Sequence, residues 1–314
     1  MSEEYKDVCL AGGVGGAKLA EGLAQIVPPE QLSIIVNTGD DFQHGGLHIS
    51  PDLDTVMYRL GGVANTKTGW GREGETWNMM ETLSTISGPA WFKLGDKDLA
   101  THLTRTYILQ TGATLSQVTR HFRAAFKFKP ALIPMSDETV QTQIETEDGE
   151  LLAFQDWFVR KSWEPVVKTV VLPENGRLSP TAARALQNAD IVLIAPSNPF
   201  VSIDPILNMY PARAMIEDLP RVVVAMSPIV GGQAVKGPLG KMMTDWGMDV
   251  SATAVANHYG DLIDGFVYDS ADEKPFTAEM PSLATNTLMK NSVDRAAVAQ
   301  QALDFAISLT KKKK

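Results

Sequence analysis

VCLAGGVGGAKLA, residues 8–20, decides the fold. Val8-Cys9-Leu10-Ala11 is a short apolar run, and Gly12-Gly13-Val14-Gly15-Gly16 breaks it. Residues 17–26 then take helical spacing, with Leu19, Leu23 and Ile26 on one face. Pro28-Pro29 stops that helix, and residues 32–36 (LSIIV) form a second apolar strand ending at Asn37-Thr38-Gly39-Asp40-Asp41. Strand, glycine loop, helix, strand is a βαβ unit, whose parallel strands require helices packed on the sheet.

The alternation returns downstream. Residues 190–196 (DIVLIAP) and 221–226 (RVVVAM) are continuous apolar strands of the kind buried on both faces. Helical patterns precede the first at 180–189 and separate the two at 205–217. Residues 266–268 make a further short strand, and 293–309 a closing helix. The middle of the chain differs. Helical patterns at 98–110 and 115–126 are split by Gly112. Strand patterns at 140–146 and 151–159 flank Glu147-Asp148-Gly149-Glu150, where Asp-Gly favours a turn needing positive φ. The reading is one α/β domain over residues 1–314, a doubly wound, mostly parallel sheet, with a helical and hairpin insertion at about 60–165 capping it.

Composition narrows the function classes. The chain has 314 residues, of which 44% are hydrophobic and 21% charged, enough for a sizeable core. The net charge of −9 argues against non-specific nucleic-acid binding, which needs broad basic surface. No run approaches the ~18 apolar residues that span a bilayer. Residues 1–7 lack the basic and apolar stretches of a signal peptide, so a cytoplasmic location is expected, without membrane partners. The single cysteine, Cys9, excludes an internal disulfide and reads as a buried strand residue. Lysines at 311–314 read as a solvated tail.

In such a sheet, ligands bind beyond the carboxyl ends of the strands, so the polar residues following each strand are the candidates. After the first come Gly12, Gly13, Gly15, Gly16 and Lys18, a phosphate cradle or a tight structural turn. The spacing is neither G-x-G-x-x-G nor G-x-x-x-x-G-K-[ST]. After the second come Asp40 and Asp41, with Asp52 and Asp54 close behind in ISPDLDT (49–55). Four carboxylates without cysteine suit a hard ion such as Mg²⁺, and Asp40, Asp41 and Asp54 are the expected ligands. The alternative is that Asp52 caps a helix and that Asp40 and Asp41 stabilise a turn. Asp54 falls in the first helical turn, where the dipole favours negative charge and a carboxylate can bind metal or accept a hydroxyl proton. KLGDKD (93–98) leads into a helix on which Asp98, His102 and Arg105 share one face, either functional or an exposed ion-pair face. Later strands end in Pro196-Ser197-Asn198-Pro199 and Ser227-Pro228-Ile229, which can bond a nucleobase or ribose or simply make turns.

Together AGGVGGAKLA (11–20), Asn37-Thr38, ISPDLDT (49–55), KLGDKDLATH (93–102), IPMSDE (133–138), Phe154-Gln155-Asp156, PSNP (196–199) and SPI (227–229) resemble the 2-phospho-L-lactate transferase family of coenzyme F420 synthesis. The likeness runs through nearly the whole chain. It implies a Rossmann-like transferase that takes a phospho-acid (phospholactyl, phosphoenolpyruvyl or phosphoglyceryl) from a guanosine diphosphodiester. The acceptor is the ribityl hydroxyl of the deazaflavin Fo, and GMP leaves. By this analogy Asp54 and Lys93 contact Fo and act in catalysis, while the glycine loop, Ser197, Asn198 and Ser227 line the nucleotide site. Trp70, Trp77 and Trp91 are candidates to meet the deazaflavin ring or to pack in the core. Family analogy also makes a homodimer an expectation. Two other readings compete: a non-catalytic nucleotide-sugar-binding regulator of the same superfamily, and a nicotinamide oxidoreductase. The second requires an acid directly after strand two, where Asn37 stands.

Overall fold

A computed structural model describes residues 5–313, with side chains to Lys311. The expectations for residues 1–4 and for most of the lysine tail lie outside the described residues. Seven strands form the central sheet: β1 (Asp7–Ala11), β2 (Leu32–Val36), β3 (Ala131–Pro134), β4 (Ile191–Ile194), β5 (Val222–Met226), β6 (Gly265–Asp269) and β7 (Ser282–Thr285). Their order is β7-β6-β5-β4-β1-β2-β3, and every neighbouring pair is parallel. The strand order reverses between β1 and β4, which in doubly wound sheets opens a crevice for ligands.

The continuous apolar strands are buried on both sides, as parallel strands must be. Within β1, Val8 and Leu10 join one core layer, Cys9 and Ala11 the other. The same alternation splits Val192 and Ile194 from Ile191 and Leu193 on β4. Each Val, Leu or Ile so buried contributes roughly 1.5–3 kcal/mol. Cys9 is a fully buried strand residue, as read, and burial pushes its thiol up to about 12. Helix α1 (Gly13–Ile26) packs on the Cys9 face against both α2 (Pro51–Leu60) and the closing helix Ser292–Lys313.

Several boundaries move. Helix α1 starts at Gly13, so most of the glycine loop is its first turn. The helix expected at 205–217 is two, Asp204–Asn208 and Ala212–Asp218, divided by a cis Tyr210-Pro211 bond. The stretch at about 60–165 is not helix and hairpin throughout, because β3 lies inside it and joins the central sheet. IPMSDE therefore begins as core strand. Around it stand α3 (Asn78–Thr85), α4 (Asp96–Gln110) and α5 (Leu115–Ala125). The hairpin at Asp148-Gly149 forms, with Gly149 at φ +86°, but pairs only Gln143–Thr146 with Leu151–Ala153. Asp156–Arg160 coils into a wide helical turn because Trp157 is fully buried and donates Nε1–H to the Pro165 carbonyl. A third strand, Val167–Val171, completes that small sheet.

Candidate functional site

The parallel register brings Gly12, Asn37, Ala195 and Ser227 to one edge of the sheet, each just past its strand. At the switch point the glycine turn and the loop after β4 are locked together. Gly12 N–H donates to Ser197 Oγ at 3.0 Å, and Ser197 Oγ–H donates to Gly12 O at 2.7 Å. A Cβ on Gly15 would stand 2.1 Å from the Pro196 carbonyl oxygen, and one on Gly16 would meet Ser197 Oγ at 2.6 Å. Gly13 adopts φ +58°, where a side chain is strained. The glycines are thus required by chain-to-chain contact within the turn, whatever ligand it receives. Helix α1 begins without an acidic first turn or a side-chain cap; the Gly13 amide bonds the Asp52 carboxylate, and the amides after it can receive an anion. Asn198 Oδ1 accepts from Phe200 N–H, and Ser227 Oγ accepts from Ile229 N–H, so both side chains shape their own loops.

Behind the turn lies a buried acidic pair. Asn37 Nδ2 donates to Asp52 Oδ2 (3.0 Å) and reaches Asp40 Oδ1 (3.4 Å). Gln155 Nε2 donates to the other oxygen of Asp40 at 3.1 Å. Burial raises the Asp40 carboxyl well above its ordinary range, and the charges of Asp52 and Asp41 add to it. Burial likewise raises Asp52 to about 6, against hydrogen bonds from Asn37 and the Gly13 amide. Asp52 does not cap α2; Ser50 holds the cap position, and Asp52 points at the glycine turn. A Cβ on Gly12 would lie 2.5 Å from its Oδ2. Asp41 stands to one side, its Oδ2 accepting from Ser50 Oγ–H (2.7 Å) and contacting His48 Nε2 (3.0 Å).

Asp54 belongs to a different assembly. Two residues after Asp52, it projects about 200° around the helix, toward α4. Its Oδ1 is paired with the Arg105 guanidinium, which is 0% exposed. Arg105 also contacts His102 Nδ1 (3.0 Å), His102 Nε2 lies 3.3 Å from Asp98, and the Tyr58 hydroxyl donates to Asp98 at 2.5 Å. Asp98, His102 and Arg105 do share one helical face, and it is buried rather than exposed. Burial acts against Arg105, yet Asp54 holds its pKa above the usual value. Burial would raise Asp98, but His102 and Tyr58 hold it below. Asp54 Oδ2 makes no hydrogen bond but is buried 3.6 Å from His102 Nδ1.

This corrects the expected ligand set. Asp40, Asp41 and Asp54 do not converge, and among the described residues no cluster of three or more His, Cys, Asp or Glu could hold an ion. The carboxylate facing Asp40 is Asp52, the residue weighed as a helix cap. Asn37, Gln155, Ser202 and the Gly13 amide bond the pair, and no local spacing announces a partner 115 positions from Asp40. Lys93 is exposed, beside the aromatic group of Phe42, His44, Trp91 and Phe92, whose ring centroids lie 4.9–6.2 Å apart. Trp70 and Trp77 are 46% and 38% exposed and belong to no core.

Residues 8–307 match the family described as 2-phospho-L-lactate transferase CofD. The chain belongs to that family. It is 42% identical over 310 residues to the phosphoenolpyruvate transferase of Streptomyces griseus, covering 95% of this chain and 98% of that one. It is 38% identical over 307 residues to the 2-phospho-L-lactate transferase of Methanocaldococcus jannaschii, covering 96% and 98%. A crystal structure of a upf0052 family member from Bacillus halodurans has a TM-score of 0.62 at 13% identity. It covers 96% of this chain and 100% of its own, a likeness in fold alone. As a CofD family member the chain is a transferase of coenzyme F420 biosynthesis, and the regulator reading is not favoured. No helix among the described residues is long and apolar enough to cross a membrane.

Proposed function

We propose that this chain transfers a phospho-acid from a guanosine diphosphodiester to the ribityl hydroxyl of Fo, releasing GMP. One observation carries the reading: the Asp40–Asp52 pair is buried against the glycine turn at the strand-order switch point. Two carboxylates held together without a countercharge disfavour their own ionisation, and a divalent cation relieves that conflict. Mg²⁺ commonly binds one or two carboxylates and completes its shell with water and substrate phosphate, so this pair fits it. Asp40 and Asp52 would hold the ion, which when bound neutralises diphosphate oxygens.

The chain's own residues supply the rest. Amides of the α1 N-terminus receive phosphate, while the loops at Ser197, Asn198 and Ser227 border the nucleotide. Asp54, whose carboxylate is buried between Arg105 and His102, is by family analogy the group that orients the attacking hydroxyl or accepts its proton. Lys93 provides positive charge at the rim, beside the Phe42–His44–Trp91–Phe92 group, of which half-buried Trp91, with Arg160 over its ring, is the candidate to meet the deazaflavin. Phosphoryl transfer depends mainly on positioning and charge neutralisation, the two services this arrangement suits.

The test is to supply Fo, Mg²⁺ and each guanylylated phospho-acid in turn and analyse products by mass spectrometry. A phosphodiester adduct of Fo together with GMP is expected with one or more donors. Absence of adduct with every donor, while Fo and guanosine nucleotides still bind, would overturn the reaction.

A further inference from the structure

A group of cations gathers on the outer face of α1, apart from the acidic pair. Arg59 from α2 and Arg295 from the closing helix both reach Glu21, at 3.4 Å and 2.9 Å. Their exposures are 6% and 7%, and the Nε of each lacks a hydrogen-bond partner. The closing helix can come this near because α1 has Gly22 there, where a Cβ would lie 2.2 Å from Arg295 O. Lys18 is one turn before Glu21 on the same face and makes no hydrogen bond or ion pair among the described residues. Burial lowers its pKa, and the charges of Arg295, Lys236 and Arg59 lower it further.

Lys236 arrives from the glycine-rich loop after β5, in which Gly231, Gly232 and Gly237 all have positive φ. Its Nζ donates to Thr68 O at 2.8 Å, tying that loop to the segment around Gly69. A Cβ on Gly69 would meet Lys236 Nζ at 2.8 Å and Val14 Cγ1 at 3.2 Å. Val14 is in the glycine turn, one helical turn before Lys18. Two arginines share the Glu21 carboxylate, and the charges of Lys18 and Lys236 act on the same group of cations, in a protein whose net charge is −9. Such crowding is unfavourable unless an anion joins it.

We propose that Lys18, Arg59, Arg295 and Lys236 form a subsite for an oxyanion, a carboxylate or phosphate, beside the glycine turn. The inference rests on the function above only in taking the acid end of the donor as its source; a free anion is the other source. The probes are inorganic pyrophosphate, phosphoenolpyruvate, GDP and guanylylated phosphoenolpyruvate, bound to wild type, Lys18→Gln, Lys236→Gln and the double variant, with melting temperature monitoring the fold. Both lysines are accessible enough for glutamine to be accommodated.

The double variant should bind pyrophosphate and phosphoenolpyruvate about tenfold or more weakly, as loss of charge-assisted contacts requires. If the donor supplies the oxyanion, guanylylated phosphoenolpyruvate should lose at least as much while GDP loses less. If a free anion does, pyrophosphate should bind wild type undiminished in saturating GDP. Equal anion affinities in wild type and double variant would overturn the subsite. Failure of all guanosine compounds to bind, with lysine-dependent pyrophosphate binding intact, would overturn the donor reading and leave the subsite standing.

Discussion

The two faces of α2 handle buried charge in opposite ways. On one, Asp52 confronts Asp40 across Asn37, and only uncharged donors, amides and the Ser202 hydroxyl, are seen to offset the two carboxylates. On the other, Asp54 meets Arg105, whose network runs through His102 to Asp98 and Tyr58. The Asp54 side has its own buried guanidinium as countercharge and fixes α4 against α2. The Asp52 side carries an unresolved charge, and its pKa values rise accordingly. A buried network that is internally paired is suited to rigidity, whereas one that is short of positive charge is suited to receiving a cation.

The largest effect that would break this contrast is at Arg105. Arg105→Met leaves Asp54 buried and uncompensated, and should cost about 3–5 kcal/mol of stability in urea unfolding. A loss below about 1 kcal/mol would mean that Asp54 is not held by this pair. Next is Asp54→Asn, expected to lower turnover roughly 100-fold with guanosine nucleotide affinity changed less than about threefold. Parallel losses in both quantities would remove Asp54 from the reacting hydroxyl.

Magnesium sharpens the other face. Wild type should melt higher with Mg²⁺, by the equivalent of about 2.7 kcal/mol at a hundredfold excess over Kd. Asp52→Asn and Asp40→Asn should be no less stable than wild type without the ion and should lose that response. A retained response in both would place the ion elsewhere.

The smallest effect is at the opposite sheet edge. Burial, with the Asp190 charge, raises Asp7 to about 7. In the folded state Asp7 therefore holds its proton over a range where the unfolded chain has lost it. Its stabilising contribution is complete below about pH 4 and falls away as pH rises to about 7. Asp7→Asn should accordingly gain a few degrees of Tm over wild type at pH 8 and little at pH 4. A pH-independent difference would refute this.

Local patterns carried most of the fold. Residues 8–20 gave strand and helix because a continuous apolar run and a 3.6-residue period need no distant information. β3 was not legible: Pro130 precedes it and Pro134 ends it, and only pairing with β2 makes it a strand. The expected strand over 151–159 failed for a related reason, since burying Trp157 outweighed local preference for extension. Within the site, ISPDLDT exposed both Asp52 and Asp54, with Asp54 the expected metal ligand and Asp52 weighed as a helix cap, whereas packing sets Asp52 beside Asp40. Arg105 was visible as one member of a helical face, without its partner.

By itself the sequence determined a parallel α/β sheet, the strand ends at which its candidate residues lie, and four carboxylates close together in the chain. Those properties follow from periodicity and from what glycine, aspartate and apolar side chains do over a few residues. Only the tertiary structure decided which carboxylates meet. Residues two apart on a helix point away from each other, and each partner comes from a chain segment whose position is set by the sheet order. Gln155 for Asp40 and Arg105 for Asp54 are products of packing, which local sequence does not encode.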